Sequence, residues 1–482
     1  MTASLTQALS IALSGLQSSS SLISLASKNI ANAQTPGYTQ KTGTTTSVDY
    51  GAAFGGTAIA GYTRATNQAL TSNYNVATSA ASYAGTQNDY LTQIQTILNS
   101  TSNNPTLSND VAQLASAFTQ YAAAPESAIQ QQNLISTAQT LTNDIHTIGN
   151  QLGSLVSQVQ SDLSGNITSL NSDLQQIATI NNQIQAASTA GQPIVDLQDQ
   201  QDQLVNKVSS FLNVNAQPRA NGQIALYTPS GQLLVDGPTA ETFSFNGTAI
   251  LNANATNVGS AFGGGSLQAA MNFIDTSASA ASSTTPGVGT VAKLQAQLSK
   301  LVDAFTNSSG GTPSAFATAY SSAVTASTAL GATQAGASVA SSFFTVSNGS
   351  NGQPDASTFV VNAGLLAGTS VLPQTGTQAI ANSFSTVATY TASGLSAQNV
   401  TYAGLTSAIL STFQQAANTV KTQSTTATSQ QTYYQTTLSN TTGVNIDNEL
   451  ANLVAYQNSY AASAHVISTV NQMLTTLINV LP

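Results

Sequence analysis

The sequence predicts a mainly α-helical, elongated, multi-domain protein with a β-containing insertion. Three observations lead there. Both ends carry apolar residues at alternating spacings of four and three, the period of a helix with one adhesive stripe. Long stretches inboard of the ends keep that spacing. Between them, residues 216–400 lose it and show short alternating runs set among turn residues.

The first stripe is Leu5, Leu9, Ala12, Leu16, Ser19, Ile23, Ala26 and Ile30, apolar apart from Ser19. Pro125 and Glu126 mark a helix start, with proline tolerated in the first turn and an acid near the positive end of the dipole. Leu134, Ala138, Leu141, Ile145, Ile148, Leu152, Leu155 and Val159 then keep heptad spacing. The stripe slips phase near Gly165 and resumes at Leu170, Leu174, Ile177 and Ile184, which leaves open one very long helix or two. Leu197 to Phe211 is a further helix. Gln223 to Val235 reads as a hairpin around Pro229-Ser230-Gly231, and Asp236-Gly237-Pro238 with Thr242 to Phe245 continues the β pattern. Residues 276–290 and 307–313 are linkers rich in Ser, Thr, Gly and Pro. Phe343 to Val361 is β-prone, a helix covers about 405–438, and the closing stripe is Leu453, Tyr456, Tyr460, Ser463, Ile467, Val470, Leu474, Leu477 and Leu481.

The chain therefore divides into an N-terminal helix and turn (1–65), a long helical domain (66–215), a β-containing outer insertion (216–400) and a returning helix with the closing helix (401–482). The two terminal seams need partners, and a heptad pattern leaves open whether the fold or another chain supplies them. Two helices packed only on each other are marginal, so further faces need cover. Leu13, Leu22 and Leu25 lie off the first seam for that purpose.

Composition narrows the function. Only 5% of residues are charged, with eight cations against seventeen acids, where roughly 25% is ordinary. Eight cations cannot track a phosphate backbone, so nucleic-acid binding is not expected. The pairing of high net charge with few apolar residues that marks disorder is missing, since 41% of residues are hydrophobic. Without cysteine there is no disulfide framework or thiolate metal site. The apolar stretch Leu5 to Leu16 is broken by polar residues and lacks a basic start, so neither membrane insertion nor a cleaved signal peptide is expected.

Catalytic patterns are thin. His146 and His465, the two histidines, sit on separate helical stretches and read as packed or solvated residues. No HExxH, GxSxG or GxxxxGK[ST] run occurs. Asp196, Asp199 and Asp202 put carboxylates at i, i+3 and i+6; a solvated acidic face is the expectation, because a calcium loop needs more oxygens and a glycine turn. Gly263-Gly264-Gly265 reads as a hinge. No catalytic residue, cofactor or metal is expected.

Motifs at both ends carry a resemblance. Ala8-Leu9-Ser10 and Ser14-Gly15-Leu16, followed by Ser27-Lys28-Asn29-Ile30-Ala31-Asn32-Ala33-Gln34-Thr35-Pro36-Gly37-Tyr38, resemble the opening signature of bacterial flagellar rod, hook and hook-associated proteins. Gly443-Val444-Asn445-Ile446-Asp447-Asn448-Glu449-Leu450, with Tyr456-Gln457-Asn458-Ser459-Tyr460 and Val466-Ile467-Ser468-Thr469, is similar to the closing helix of the same superfamily. Within it, Leu197 to Val205 and the Gly263 to Asp275 segment resemble the family of hook-associated protein 1, the junction between hook and filament. Residues 305–400 carry no match. Gln201 stands where the family usually has Arg, and Gln40 where Arg commonly follows the Pro-Gly-Tyr turn.

The resemblance implies a structural junction subunit whose terminal helices pack together in a coiled-coil-like inner domain. It implies assembly residues Leu5, Leu9, Leu16, Ile23, Asn29, Ile30, Asn32, Pro36, Gly37 and Tyr38 at one end. At the other it implies Leu453, Tyr456, Tyr460, Ile467, Val470, Leu474, Leu477 and Leu481. Self-association in a ring or short helical array is implied, with hook protein and the third hook-associated protein as neighbours and an export chaperone as a transient partner. So is an extracellular place on the flagellum, reached by type III export without a cleaved signal. A hook or other axial subunit, or a secreted surface adhesin, are the alternatives.

Overall fold

The computed structural model describes residues 2–50, 53–99, 107–307, 309, 313–329, 338–349 and 353–480. The chain opens with helix α1 (Thr2–Asn32), a long hairpin of β1 (Lys41–Tyr50) and β2 (Ala53–Arg64), and helix α2 (Gln68–Asn99). Helices α3 (Leu107–Ala123), α4 (Ala128–Thr189) and α5 (Val195–Phe211) follow. Strands β3 (Asn215–Pro218), β4 (Ile224–Tyr227), β5 (Leu233–Asp236) and β6 (Thr239–Ala240) form one antiparallel sheet in chain order. Strands β7 (Ser244–Phe245) and β8 (Ile250–Leu251) make a short pair, and α6 (Gly265–Ile274), α7 (Ala278–Ser282), α8 (Thr290–Thr306) and α9 (Ala315–Ala329) return to helix.

Four short strands interleave with two small helices: β9 (Ser338–Val339), β10 (Phe344–Thr345), β11 (Val360–Val361), α10 (Ala363–Leu366), β12 (Ser370–Val371) and α11 (Thr377–Ser383). A hairpin of β13 (Ala388–Ala392) and β14 (Leu395–Val400) leads into α12 (Tyr402–Thr442) and α13 (Ile446–Val480). The predicted fold class holds: long helices dominate and the sheets are small.

Helix α4 organises the body. At about 1.5 Å per residue its 62 residues run some 90 Å. It is one helix, and the phase slip near Gly165 is a stutter: Val159, Leu163 and Ile167 are spaced four and four before the four-three rhythm resumes at Leu170. All are buried. The helix starts later than the Pro125 signal suggests, at Ala128, because Ser127 supplies the cap and its Oγ accepts from the Gln130 N–H.

Asn181 interrupts the apolar face of α4 and is fully buried. Its amide nitrogen donates to the carbonyls of Ile224 and Gly237 (3.0 and 2.8 Å), and its oxygen accepts from the Ile224 N–H (3.0 Å). It thus pins the four-stranded sheet to the helix. Gln201 donates to the same oxygen at 2.8 Å. That buried contact suits a neutral amide and explains what stands at the position expected to hold Arg.

Two expectations need correction. Gly263-Gly264-Gly265 is a close-packing element and not a hinge. All three have positive φ, and a Cβ on Gly265 would lie 2.2 Å from the carbonyl carbon of Phe211. The 276–290 segment is more than a linker, since it contains α7 and packs Gly287 against the buried Gln87 of α2. Of the 307–313 segment, residues 308 and 310–312 lie outside the described residues.

The 305–400 stretch, which the sequence motifs do not reach, shares the core of the helical body. Phe305, Phe316, Phe343, Phe344, Phe359 and Phe384 surround Phe118 of α3 and Tyr402 of α12, with Phe305 stacked on Tyr402 at 5.0 Å.

Candidate assembly interface

Helices α1 and α13 pair with each other. They run antiparallel, because Gly15 in the middle of α1 faces Ser463 while Gln40, just beyond the end of α1, bonds Glu449 at the start of α13. The two sequence seams therefore meet inside one chain. Small residues on α1 let the helices approach: Ala12, Ser19 and Ala26 are buried, and a Cβ on Gly15 would come within 3.0 Å of the Ser463 Oγ.

The rest of the predicted seam is shared between burial and exposure. Leu5, Leu9, Leu16, Ile23 and Ile30 on α1 are half-buried, as are Leu453, Tyr456, Ile467 and Leu474 on α13. Val470 is buried and Tyr460 is 39% exposed. The Leu477 side chain and the whole of Leu481 lie outside the described residues.

A second face of α1 is a serine row held by the β1–β2 hairpin. Ser14 Oγ accepts from the Thr57 N–H at 3.1 Å, and Ser18 Oγ donates to the Thr57 carbonyl at 3.0 Å. Gly56, with φ of +115°, brings the strand onto Ser14. Leu22 is buried beneath Gly43 with Leu25 beside it, while Leu13 remains 47% exposed. By length and composition Leu5–Asn32 is apolar enough to cross a membrane; here that apolarity forms the seam with α13 and the cover for the hairpin.

Outward, the pair leaves large apolar side chains uncovered. Ile11 and Leu13 on α1, and Leu450, Val454, Val466, Met473 and Ile478 on α13, are all 39% exposed or more. Large exposed apolar side chains are candidates for an association surface when they form a contiguous patch.

The turn after α1 is a polar hub. Asn29, fully buried, donates to the Lys41 carbonyl at 2.8 Å and accepts from the Tyr38 hydroxyl at 2.9 Å. Asn32 donates to the Lys28 carbonyl and its own carbonyl accepts from the Thr35 N–H, turning the chain toward Pro36 and Gly37. Both are exposed, and the Gly37 φ of +76° lets the turn press on Gln203 of α5, which donates to the Pro36 carbonyl.

Lys41 and Arg64 form the first cross-strand pair of the hairpin and both point at α5. Lys41 binds Asp196 and, at 3.2 Å, Asp199. Arg64 binds Asp199 at 3.1 Å and Asp202 at 2.5 Å. Thr39 adds its N–H and hydroxyl to Asp199. Burial works against the Lys41 charge, but the bond to Asp196 and the charge of Asp199 outweigh it and raise its pKa. Burial raises the Asp202 carboxyl, with Arg64 opposing. The acidic row is therefore an internal ion cluster and not the expected solvated face; Asp196 alone of the three is mostly exposed. Gln40 completes the hub, its N–H donating to the Thr442 carbonyl and its amide to Glu449 at 2.7 Å.

The sequence reading missed Lys41, Arg64, Gln40 and Glu449 as parts of one site. A faint signal existed: two of only eight cations flank the strands of one hairpin, opposite three regularly spaced acids.

Comparisons with known proteins agree with this layout. The helical domain of flagellar hook-associated protein FlgK matches residues 91–344, more than half of the chain. The C-terminal domain of flagellar basal body rod FlgEFG proteins matches residues 435–480, which covers the end of α12 and all of α13. Flagellar hook-associated protein 1 of Salmonella typhimurium is 26% identical over 236 residues, 48% of this chain and 42% of that protein. The Bacillus subtilis protein of the same name is 24% identical over 239 residues, 46% of each. The chain thus spans less than half the length of these curated relatives in the matched regions. The flagellar hook junction protein FlgK from Burkholderia pseudomallei aligns over 57% of this chain and 47% of its own, at 21% identity and a TM-score of 0.45. With the FlgK helical domain matched across its body and an axial-protein closing helix matched at its end, the chain belongs to the flagellar hook-associated protein FlgK family.

Proposed function

We propose that the chain is a structural subunit of the bacterial flagellum at the junction of hook and filament, assembling through its paired terminal helices. The observation that carries this is the α1–α13 pair, whose seam is closed within the chain while Ile11, Leu13, Leu450, Val454, Val466 and Met473 stay uncovered. Those residues are what a neighbouring copy, or a related axial subunit, would bury. The relatives carry the name of a hook-associated protein, which favours the hook protein below and the third hook-associated protein above as neighbours, and an extracellular position reached by flagellar export with a chaperone. Heterologous contacts of this kind continue until a different subunit stops them, so a short ring or helical array requires distinct partners at its two faces.

A strain lacking the gene tests the reading. Intact hooks, absent filaments and flagellin released into the medium are expected. Loss of the hooks themselves would assign the chain to the hook, and full motility would point instead to a surface adhesin.

A further inference from the structure

The molecule divides into two bodies by what packs on what. Among the described residues, one apolar cluster runs from Tyr90 to Val420 and takes in no side chain of α1, the β1–β2 hairpin or α13. Those elements form a terminal module of their own: α1 packs on α13 and on the hairpin, with Ala12, Leu22, Ala26 and Val470 buried within it. Module and body meet through polar chemistry instead. Strand β2 reaches α5, where Lys41 and Arg64 of the hairpin meet Asp196, Asp199 and Asp202. Beside this joint, an open groove of about 720 Å³ lies between α1, the hairpin and the turn Gly191–Ile194 that precedes α5.

Opposite charges are thus divided between the bodies, the cations on the module and the acids on the helical body. The chain passes from one to the other at residues 65–67 and 443–445, and both passages sit at the cluster. Arg64 immediately precedes the first. At the second, the Gln40 N–H donates to the Thr442 carbonyl at 2.8 Å and the Gln40 amide to Glu449 at 2.7 Å. Small polar interfaces between parts of one chain permit relative motion that a large apolar one would restrain. Ion pairs hold such a joint without welding it. Closure takes Lys41 and Asp199 out of water, to side-chain exposures of 4% and 6%, and opening returns their hydration, so attraction and desolvation largely offset.

We propose that the Lys41–Arg64–Asp199 cluster is a reversible latch, and that on its release the terminal module swings as one unit against the helical body about residues 65–67 and 443–445. Asp199 is the centre because it binds both cations, whereas Asp196 binds Lys41 and Asp202 binds Arg64. Neutralising Asp199 leaves those two cations, paired across the hairpin strands, each with one acid fewer, while the apolar core of each body is untouched. The inference is independent of the assembly reading, since it concerns the isolated chain.

The test is a distance measurement by pulsed electron paramagnetic resonance on the full chain. The chain has no cysteine, so spin labels can be placed at will. One pair, at Thr179 of α4 and Ser459 of α13, spans the joint; a control pair, at Ser10 and Ser459, lies within the module, and all three positions are exposed. Labelled chain is diluted into unlabelled chain so that distances within one molecule are read. The natural chain should give one narrow distance across the joint. Asp199→Asn should raise the population at other distances by at least about tenfold, with the control pair still narrow. An unchanged joint distance in the variant would overturn the proposal, as would a natural chain already broad across the joint or a control pair that broadens with it. Should Asp199→Asn fail to fold, Arg64→Gln removes one cation from the same latch, and the same outcomes decide.

Discussion

Asp199 accepts from four donors at once: the Thr39 N–H and hydroxyl, Lys41 and Arg64. It is the buried centre of a cluster whose outer acid, Asp196, is mostly exposed. Removing a buried partner leaves its cation stranded, whereas removing an exposed one costs little because water replaces it. Asp199→Ala should therefore lower stability by about 3–5 kcal/mol, and Asp196→Ala by less than about 1 kcal/mol. Urea denaturation of the two variants measures both, and equal losses would show that the cluster is not centred on Asp199. Asn181 and Gln201 follow the same logic without charge, each side chain placed so that a buried amide meets a partner. In a chain with 5% charged residues, amides do much of the work that ion pairs do elsewhere.

At the level of elements, glycines separate into those the packing requires and those it does not. Gly165 lies in the middle of α4 and a Cβ there would meet nothing within 4 Å. Gly265 starts α6 with φ of +72° against the backbone of Phe211. Gly165→Ala should raise stability by about 0.5–1 kcal/mol by removing backbone entropy from a helix interior. Gly265→Ala should cost about 3 kcal/mol through left-handed strain and overpacking. Thermal unfolding of the pair checks the contrast; a destabilised Gly165→Ala would mean that α4 bends at its stutter. Helix α1 shows how one element serves two neighbours and leaves a third face open. Its apolar seam meets α13, its serines bind the hairpin, and its outer side leaves Ile11 and Leu13 open.

Across the whole molecule, charge is concentrated where the terminal pair joins the body and sparse where it faces outward. Lys28, Asp447 and His465 are the exposed acidic or basic side chains on α1 and α13 among the described residues. An interface formed by this surface would be apolar, and salt screens only charges. Self-association through the terminal pair should hold or strengthen between 0.05 and 0.5 M NaCl in sedimentation experiments, and dissociation at high salt would indicate an electrostatic contact instead.

The long helices, both terminal seams and the hairpin around Pro229-Ser230-Gly231 were legible from the sequence, because side-chain periodicity repeats within a few residues and reports the local backbone. Even the slip near Gly165 was visible, though not its meaning, since a stutter and a break share one pattern until a neighbour is present. What only the tertiary structure decided is who meets whom. Pattern left the partner of each seam open, and the fold joined Gln40 to Glu449 across 409 positions. The row of aspartates looked solvated because its two cations come from strands 135 or more residues earlier. A carboxylate's environment depends on where the chain brings distant residues, and local spacing carries no record of that.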